Sequence, residues 1–334
     1  MTPFFPPCAG SRLRLGLGGA PLGNLFAAVS DDDARALLDA AWGSGCRSFD
    51  TAPHYGHGLS ERRLGDALRS HPRDGFVLSS KVGRLLTPDA GAPRDQHGYV
   101  DILPFRQAWD FSAGGTRRSV EDSLQRLSLS RLDVVYVHDP DVATHGARAP
   151  EVLRAVLHET LPALQQLKKE GLVGAIGLGT NDVDVVLQVL RDADLDVLML
   201  AGRYSLLDHR ALPELLPQCV ARGVRIALGG VFNSGILATG TRGGAATFNY
   251  APAAREWVER TAQIESVCET HGVPLRAAAL QFPLAHPAVE IVMLGARNVA
   301  EWDDALAMLQ HPIALEFWAA LRAQGLLPAG APVP

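Results

Sequence analysis

The chain lacks several things that would settle its class quickly. Its four cysteines, Cys8, Cys46, Cys219 and Cys268, form no CxxC pair and have no His at metal-ligand spacing, so no structural zinc or other metal is expected. No run of Lys or Arg breaks a formal net charge of -5, which excludes a general polyanion binder; no nucleic-acid partner is expected. The first residues have neither a basic n-region nor a long apolar core, so no secretory leader or membrane partner is expected, and a reducing cytoplasm is the default. The dinucleotide fingerprint Gly-x-Gly-x-x-Gly is also missing, because Gly16, Gly18 and Gly19 have the wrong spacing.

What is present is an ample core and a regular alternation. Of 334 residues, 47% are hydrophobic and 20% charged, which fits a globular chain of two ordinary domains or one α/β barrel. Short aliphatic runs at 13–17, 46–50, 76–81, 132–138, 173–178, 195–200, 224–228 and 289–294 read as eight strands, most with helical stripes between them. In the first stripe Ser30 is a cap and Asp31 to Asp33 suit the positive helix end; Ala34, Leu37, Leu38 and Ala41 follow, with a stop at Gly43 and Gly45. Strands apolar on both faces and joined by helices should be parallel and doubly covered. The count predicts a closed (β/α)8 barrel, a TIM barrel in one domain spanning 1–334. Two irregular insertions, 82–115 and 229–249, are long enough to be lids or binding loops, and the Pro/Gly/Ala-rich tail 327–334 is expected to fray.

In such a barrel, chemistry sits at the C-terminal ends of the strands. Asp50, Lys81 and His138 end the second, third and fourth strands, and Tyr55 follows in a loop made turn-prone by Pro53, Gly56 and Gly58. Ser60 reads as the cap of the next helix, whose stripe is Leu64, Ala67 and Leu68. Each polar residue alone has a structural explanation: a capping Asp, a surface Tyr, a solvated Lys, a packing His. Three ionisable groups on three successive strand ends point instead to one site.

At these residues the chain resembles the aldo-keto reductase superfamily. Phe49-Asp50-Thr51-Ala52-Pro53-His54-Tyr55-Gly56, the Leu78-Ser79-Ser80-Lys81 ending and Asp133 through His138 carry the likeness, which covers about 13–309. His138 to Asp141 and Gly229 to Gly235 are most similar to its aldose 1-dehydrogenase branch. The resemblance implies a catalytic set of Asp50, Tyr55, Lys81 and His138: the phenol moves a proton, Lys81 stabilises the phenolate, Asp50 orients the ammonium, and His138 holds the substrate oxygen. It implies a nicotinamide cofactor held by Gly179, Thr180, Asn181, Gly229, Gly230, Gly295, Arg297, Asn298 and Glu301, and a small-molecule substrate touching His54 and Trp109. Gly179 replaces the family's amide-binding Ser, Ala201 and Gly202 stand where a Gln is common, and the roles of Arg203 and Tyr204 are left open. A carboxylate at Glu301 near the turn favours NAD over NADP, while Arg297 pulls the other way. The implied reaction is oxidation of an aldose of L-fucose, L-galactose or D-arabinose type at C1 to the lactone. Pyridoxal 4-dehydrogenase or general aldehyde reductase activity is the alternative, a barrel glycoside hydrolase using Glu61, Asp139 or Asp141 is remote, and a regulatory subunit without turnover is disfavoured by the complete set of four.

Overall fold

A computed structural model describes residues 4–6, 8, 14–242 and 246–334. Eight parallel strands close on themselves: β1 (Leu15–Gly18), β2 (Ser48–Asp50), β3 (Val77–Val82), β4 (Leu132–His138), β5 (Val173–Thr180), β6 (Val197–Ala201), β7 (Arg225–Gly229) and β8 (Val289–Gly295), with β8 pairing β1. Each of the eight overlaps a run legible in the sequence, with ends that differ by at most two residues; Leu13, the start of the first run, lies outside the described residues.

Strand register fixes which side chains enter the lumen. Asp50 pairs Ser79, Lys81 pairs Tyr136, and His138 pairs Gly179, so these residues share one face of the pleat. Below them Val134, Tyr136, Ala175, Val197, Met199, Ala227, Ile291 and Met293 fill the barrel interior, with Phe5 packed among them from the N-terminal segment. The alternate residues, such as Leu78, Val135, Val137, Leu178, Leu198 and Leu228, belong to the larger core under the helices.

Helix α1 (Asp31–Gly43) is capped by the Ser30 hydroxyl, which accepts from the Asp33 N-H at 3.0 Å, and buries Ala34, Leu37, Leu38 and Ala41 as its stripe requires. Each such Leu contributes about 1.5–3 kcal/mol on leaving water. α2 (Leu59–Leu68) departs from expectation: it begins two residues early, with Gly58 at the cap, and Ser60 is buried inside it, 2.8 Å from the Thr51 hydroxyl. Helices α3 (Ala113–Leu127), α4 (Leu161–Lys169), α5 (Val183–Asp192) and α6 (Leu215–Arg222) follow in the same β/α rhythm. α7 (Arg255–His271) and α8 (Leu275–Gln281) precede β8, and α9 (Val299–Gln310) and α10 (Leu315–Ala323) end the helical ring. No helix among the described residues is long and apolar enough to cross a membrane.

The tail does not fray. Leu327 and Ala331 are buried in the core, and the Arg322 guanidinium donates to the Ala331 carbonyl, so apolar contacts and one charged donor outweigh the composition of this segment. The first insertion is not irregular either. Its ends form an antiparallel hairpin, 84–88 against 105–109, in which Arg84 pairs Trp109. In the second insertion, residues 243–245 lie outside the described residues, and Thr247–Phe248 pairs Ala251–Pro252.

Close packing of β5 against β6 makes a stability test. A Cβ on Gly177 would sit 1.8 Å from the Val197 carbonyl oxygen, whereas one on Gly114, exposed in the first turn of α3, meets nothing within 4 Å. Gly177→Ala should therefore lower unfolding free energy by about 3 kcal/mol or abolish soluble expression. Gly114→Ala should raise it by about 0.5–1 kcal/mol. Denaturant titration of the two variants beside wild type checks both signs.

Candidate active site

The strand-end groups are held by short, mostly buried bonds. Lys81 Nζ donates to Asp50 Oδ1 at 2.9 Å, to Asp50 Oδ2 at 2.7 Å and to the Thr51 carbonyl at 2.9 Å, which uses all three of its protons. Ser79 donates a further bond to Asp50 Oδ1 at 2.7 Å. Burial pulls the Lys81 ammonium below its ordinary pKa, against the opposing pull of Asp50. Gly179 faces this pair from β5; a Cβ there would lie 3.5 Å from Lys81 Cε, so the absent side chain leaves room beside the lysine stem.

Tyr55 hangs over the mouth from the loop after β2, its N-H donating to the Ala52 carbonyl at 3.0 Å. The Lys81 ammonium lies 4.6 Å from the centre of its ring, and the His138 ring stands edge-on to it at 6.0 Å. The sequence reading expects Lys81 to lower the Tyr55 pKa. The structure gives the opposite direction: burial, then the charge of Asp50, hold the phenol well above its ordinary value. With its three protons committed to Asp50 and Thr51, the ammonium is locally neutralised, so Tyr55 keeps its proton in this arrangement.

His138 and His54 complete the mouth, with ring centres 5.8 Å apart. Both imidazoles are held neutral. Burial, followed by the Arg84 charge, pushes His138 well below its ordinary value and takes His54 down to about 2. His54 Nδ1 also hydrogen-bonds the Gln107 side-chain amide of the hairpin. Trp109 is 41% exposed and reaches the site through Arg84, whose guanidinium carbon lies 4.1 Å above its ring.

Arg84 and Tyr99 are the residues that sequence reasoning missed. Arg84 follows Gly83, whose φ of 110° turns the chain from β3 into the hairpin. It is 6% exposed and donates to Asp139 Oδ2 at 2.9 Å. Tyr99, buried within the first insertion, stacks on Tyr55 with centres 6.0 Å apart and meets His54 edge-on at 5.2 Å. A Gly two residues after Lys81, followed by Arg, was the only local signal for the first; Tyr99 had none. Among the carboxylates that a hydrolase would need, Glu61 is fully buried between Arg126 Nε at 2.5 Å and the Ser80 hydroxyl at 2.9 Å, and Asp141 caps the short helix Val142–His145. Neither faces the mouth as a free acid or base.

The residues expected around a dinucleotide fall into two groups. Gly229 and Gly295 end β7 and β8, and Gly230 follows with φ 62°; the missing side chains open the rim of the mouth to close approach. Asn181 follows β5, and its carbonyl accepts from Arg203. Thr180, however, alternates with Gly179 and so points away from the lumen; its hydroxyl donates to Asp141 at 3.0 Å and accepts from the Asp182 N-H. Asn298 is the cap of α9, accepting from the Glu301 N-H at 3.0 Å. Arg297 and Glu301, which the sequence sets against each other, are bonded together: Glu301 accepts from the Arg297 N-H at 2.8 Å, from Nε at 2.8 Å and from Nη2 at 2.5 Å. Arg203 donates to the Asn181 carbonyl at 2.6 Å and to Asn249 Oδ1 at 2.8 Å, tying two loops together, while Tyr204 is buried against Phe282 and His286.

Comparison with known proteins identifies the family and the fold. Residues 14–324 match the model of the aldo/keto reductase family. The chain is 43% identical to a pyridoxal 4-dehydrogenase of Microbacterium luteolum and 42% identical to a D-threo-aldose 1-dehydrogenase of a Pseudomonas species, each alignment covering 94% of both chains. It is 30% identical to the L-galactose dehydrogenase of Arabidopsis thaliana over 88% of this chain and 83% of that one. A solved aldo-keto reductase of Bacillus halodurans superposes with a TM-score of 0.73 over 98% of this chain and 97% of that one, at 23% identity, and shows the fold. The chain belongs to the aldo/keto reductase family, with relatives in line with its aldose dehydrogenase branch.

Proposed function

We propose that this oxidoreductase oxidises an aldose of L-fucose, L-galactose or D-arabinose type at C1, with a nicotinamide dinucleotide as partner and Asp50, Tyr55, Lys81 and His138 as its catalytic residues. The observation that carries the reading is the grouping of Tyr55, Lys81 and His138 around one lumen end, with Asp50 holding both faces of the ammonium. The cofactor, when bound, accepts or gives the hydride and in its oxidised form brings a positive charge. Gly179, Gly229, Gly230 and Gly295 fit its approach, since they leave backbone rather than side chains at the rim. With a cofactor bound to take the C1 hydride, Tyr55 as the phenolate would accept the anomeric O-H proton, and loss of both leaves the lactone. His138 donates to the same oxygen, and Lys81 and Asp50 set the charge around the phenol. A second reading, oxidation of pyridoxal at its 4-aldehyde carbon, is favoured by the 43% identical relative and by the Tyr99 and Tyr55 stack at the mouth. We place the protein in the cytoplasm, since its four cysteines are few and scattered, with no CxxC spacing.

NAD is the preferred dinucleotide in this reading. With Glu301 on Arg297, the turn after β8 presents a neutral pair and no free cation for a 2'-phosphate. This replaces the simpler argument that Glu301 repels the phosphate. Wild type should show the higher kcat/KM with NAD. Glu301→Gln should free the guanidinium and raise the NADP to NAD ratio by about tenfold, the ~1.5 kcal/mol of one charge-assisted hydrogen bond. A wild-type preference for NADP would end this argument.

Three further measurements test the activity. A screen of aldoses, pyridoxal and simple aldehydes should give lactone formation from an aldose; turnover of pyridoxal alone would select the second reading. Tyr55→Phe should cut kcat by about 100- to 10,000-fold with dinucleotide affinity, followed by cofactor fluorescence, close to wild type. Because a protonated Tyr55 gives a proton and a phenolate takes one, oxidation should quicken and reduction slow as pH rises through its titration. Parallel limbs in both directions would contradict that role.

A further inference from the structure

His138 has a carboxylate beside it that it does not bond. Its Nε2 lies 3.4 Å from Asp139 Oδ2, and that same oxygen accepts from Arg84 Nη2 at 2.9 Å. Asp139 cannot rotate freely: it sits at φ 49°, and its N-H donates to the Gly179 carbonyl at 2.9 Å. Arg84 is held in turn, with its guanidinium face on Trp109 and its backbone in the hairpin. A buried carboxylate next to an imidazole ordinarily accepts a hydrogen bond from the ring N-H and favours the imidazolium. Here the guanidinium occupies the oxygen nearest the ring.

We propose that Arg84 is a positioning residue, which holds the Asp139 carboxylate so that the His138 ring is left to the substrate oxygen. The groups facing His138 are Lys81 from β3, Arg84 from the hairpin, His54 and Tyr55 from the loop after β2, and Asp139 at its own strand end; β5 opposite presents Gly179. Of these, Asp139 alone pulls a proton toward the ring, and Arg84 alone is bonded to it. The same charge also opposes a proton on His54 and His138 directly, after burial. Without Arg84, Asp139 and His138 share a proton, the pair titrating as a unit. The ring is then turned to the carboxylate, and its donor is lost to the substrate.

This inference rests on the reading of His138 as the group that meets the substrate oxygen, and its test separates the two. The proton NMR signal of the His138 ring, assigned by its loss in His138→Asn, reports its titration without any turnover. In wild type its titration should lie below the ordinary imidazole range; in Arg84→Met it should rise by at least about one pH unit. An acid limb should appear in kcat/KM at the same pH. Arg84→Met/Asp139→Asn should remove the limb and return the titration, a rescue that a merely structural arginine would not give. Arg84→Lys, which keeps the charge but not the fork, should fall between, and serves if Arg84→Met does not fold. An unmoved His138 titration in the Arg84 variants, or a shift that the second substitution leaves in place, would overturn the proposal. A failure of the aldose reading would show instead as wild type without lactone formation while the titrations behave as stated.

Discussion

The mouth of this barrel depends on one buried ion pair. Lys81 and Asp50 are 2% and 4% exposed, and two charges at that depth are tolerable only because every proton of the ammonium is bonded. That requirement reaches into the fold. It needs β2 to end at Asp50 and β3 to carry Lys81 two residues beyond Ser79, on the same face of the pleat. It needs the Thr51 carbonyl turned inward where the strand stops, and a glycine on β5 so that the lysine stem has space. Slipping β3 by one residue would place Ser80 in the lumen and Lys81 under the helices, an uncompensated charge in the core. The pair is thus both the centre of the site and a constraint on register.

Around that pair the site is layered by charge. The ammonium is matched by Asp50, and the next cation, Arg84, is matched by Asp139. Neutral rings occupy the space between: Tyr55 and Tyr99 keep their protons, and His54 and His138 stay unprotonated, each because burial disfavours the charged form. The mouth consequently offers hydrogen-bond donors and acceptors with little net field, a setting that suits a neutral, hydroxylated molecule better than an anion. The turn after β8 repeats the pattern, since Arg297 and Glu301 cancel each other at the place where a dinucleotide's ribose would be expected.

Much of this was legible in the chain because the relevant signals are local. Eight apolar runs gave the barrel, the Ser30 cap and its stripe gave α1, and Asp50, Lys81 and His138 declared themselves by ending strands. Where the reading failed, the cause was a contact between distant residues. Ser60 has the chemistry of a cap, but Thr51 claims its hydroxyl and Gly58 turns the chain earlier. Thr180 fell on the wrong face once β5 ran two residues further than its apolar run, and the tail was tied down by an arginine in α10 that its composition does not reveal. Arg84 and Tyr99 lie in a segment whose prolines and glycines mask a hairpin. The pairing of Arg297 with Glu301 is a matter of rotamers that spacing does not specify.

The hairpin has one more consequence. Its legs, 84–88 and 105–109, set Arg84 opposite Trp109 and bring Gln107 to His54, whereas its tip bridges back to Leu25 through Tyr99. Legs that alternate faces tolerate no single-residue insertion, for the arginine would turn outward; the tip, bound by a pair of isolated bridges, has no such parity to keep. Natural variation and laboratory loop grafting should therefore be free to exchange the tip, and with it the wall against which a substrate rests, while the charge arrangement beneath stays as it is.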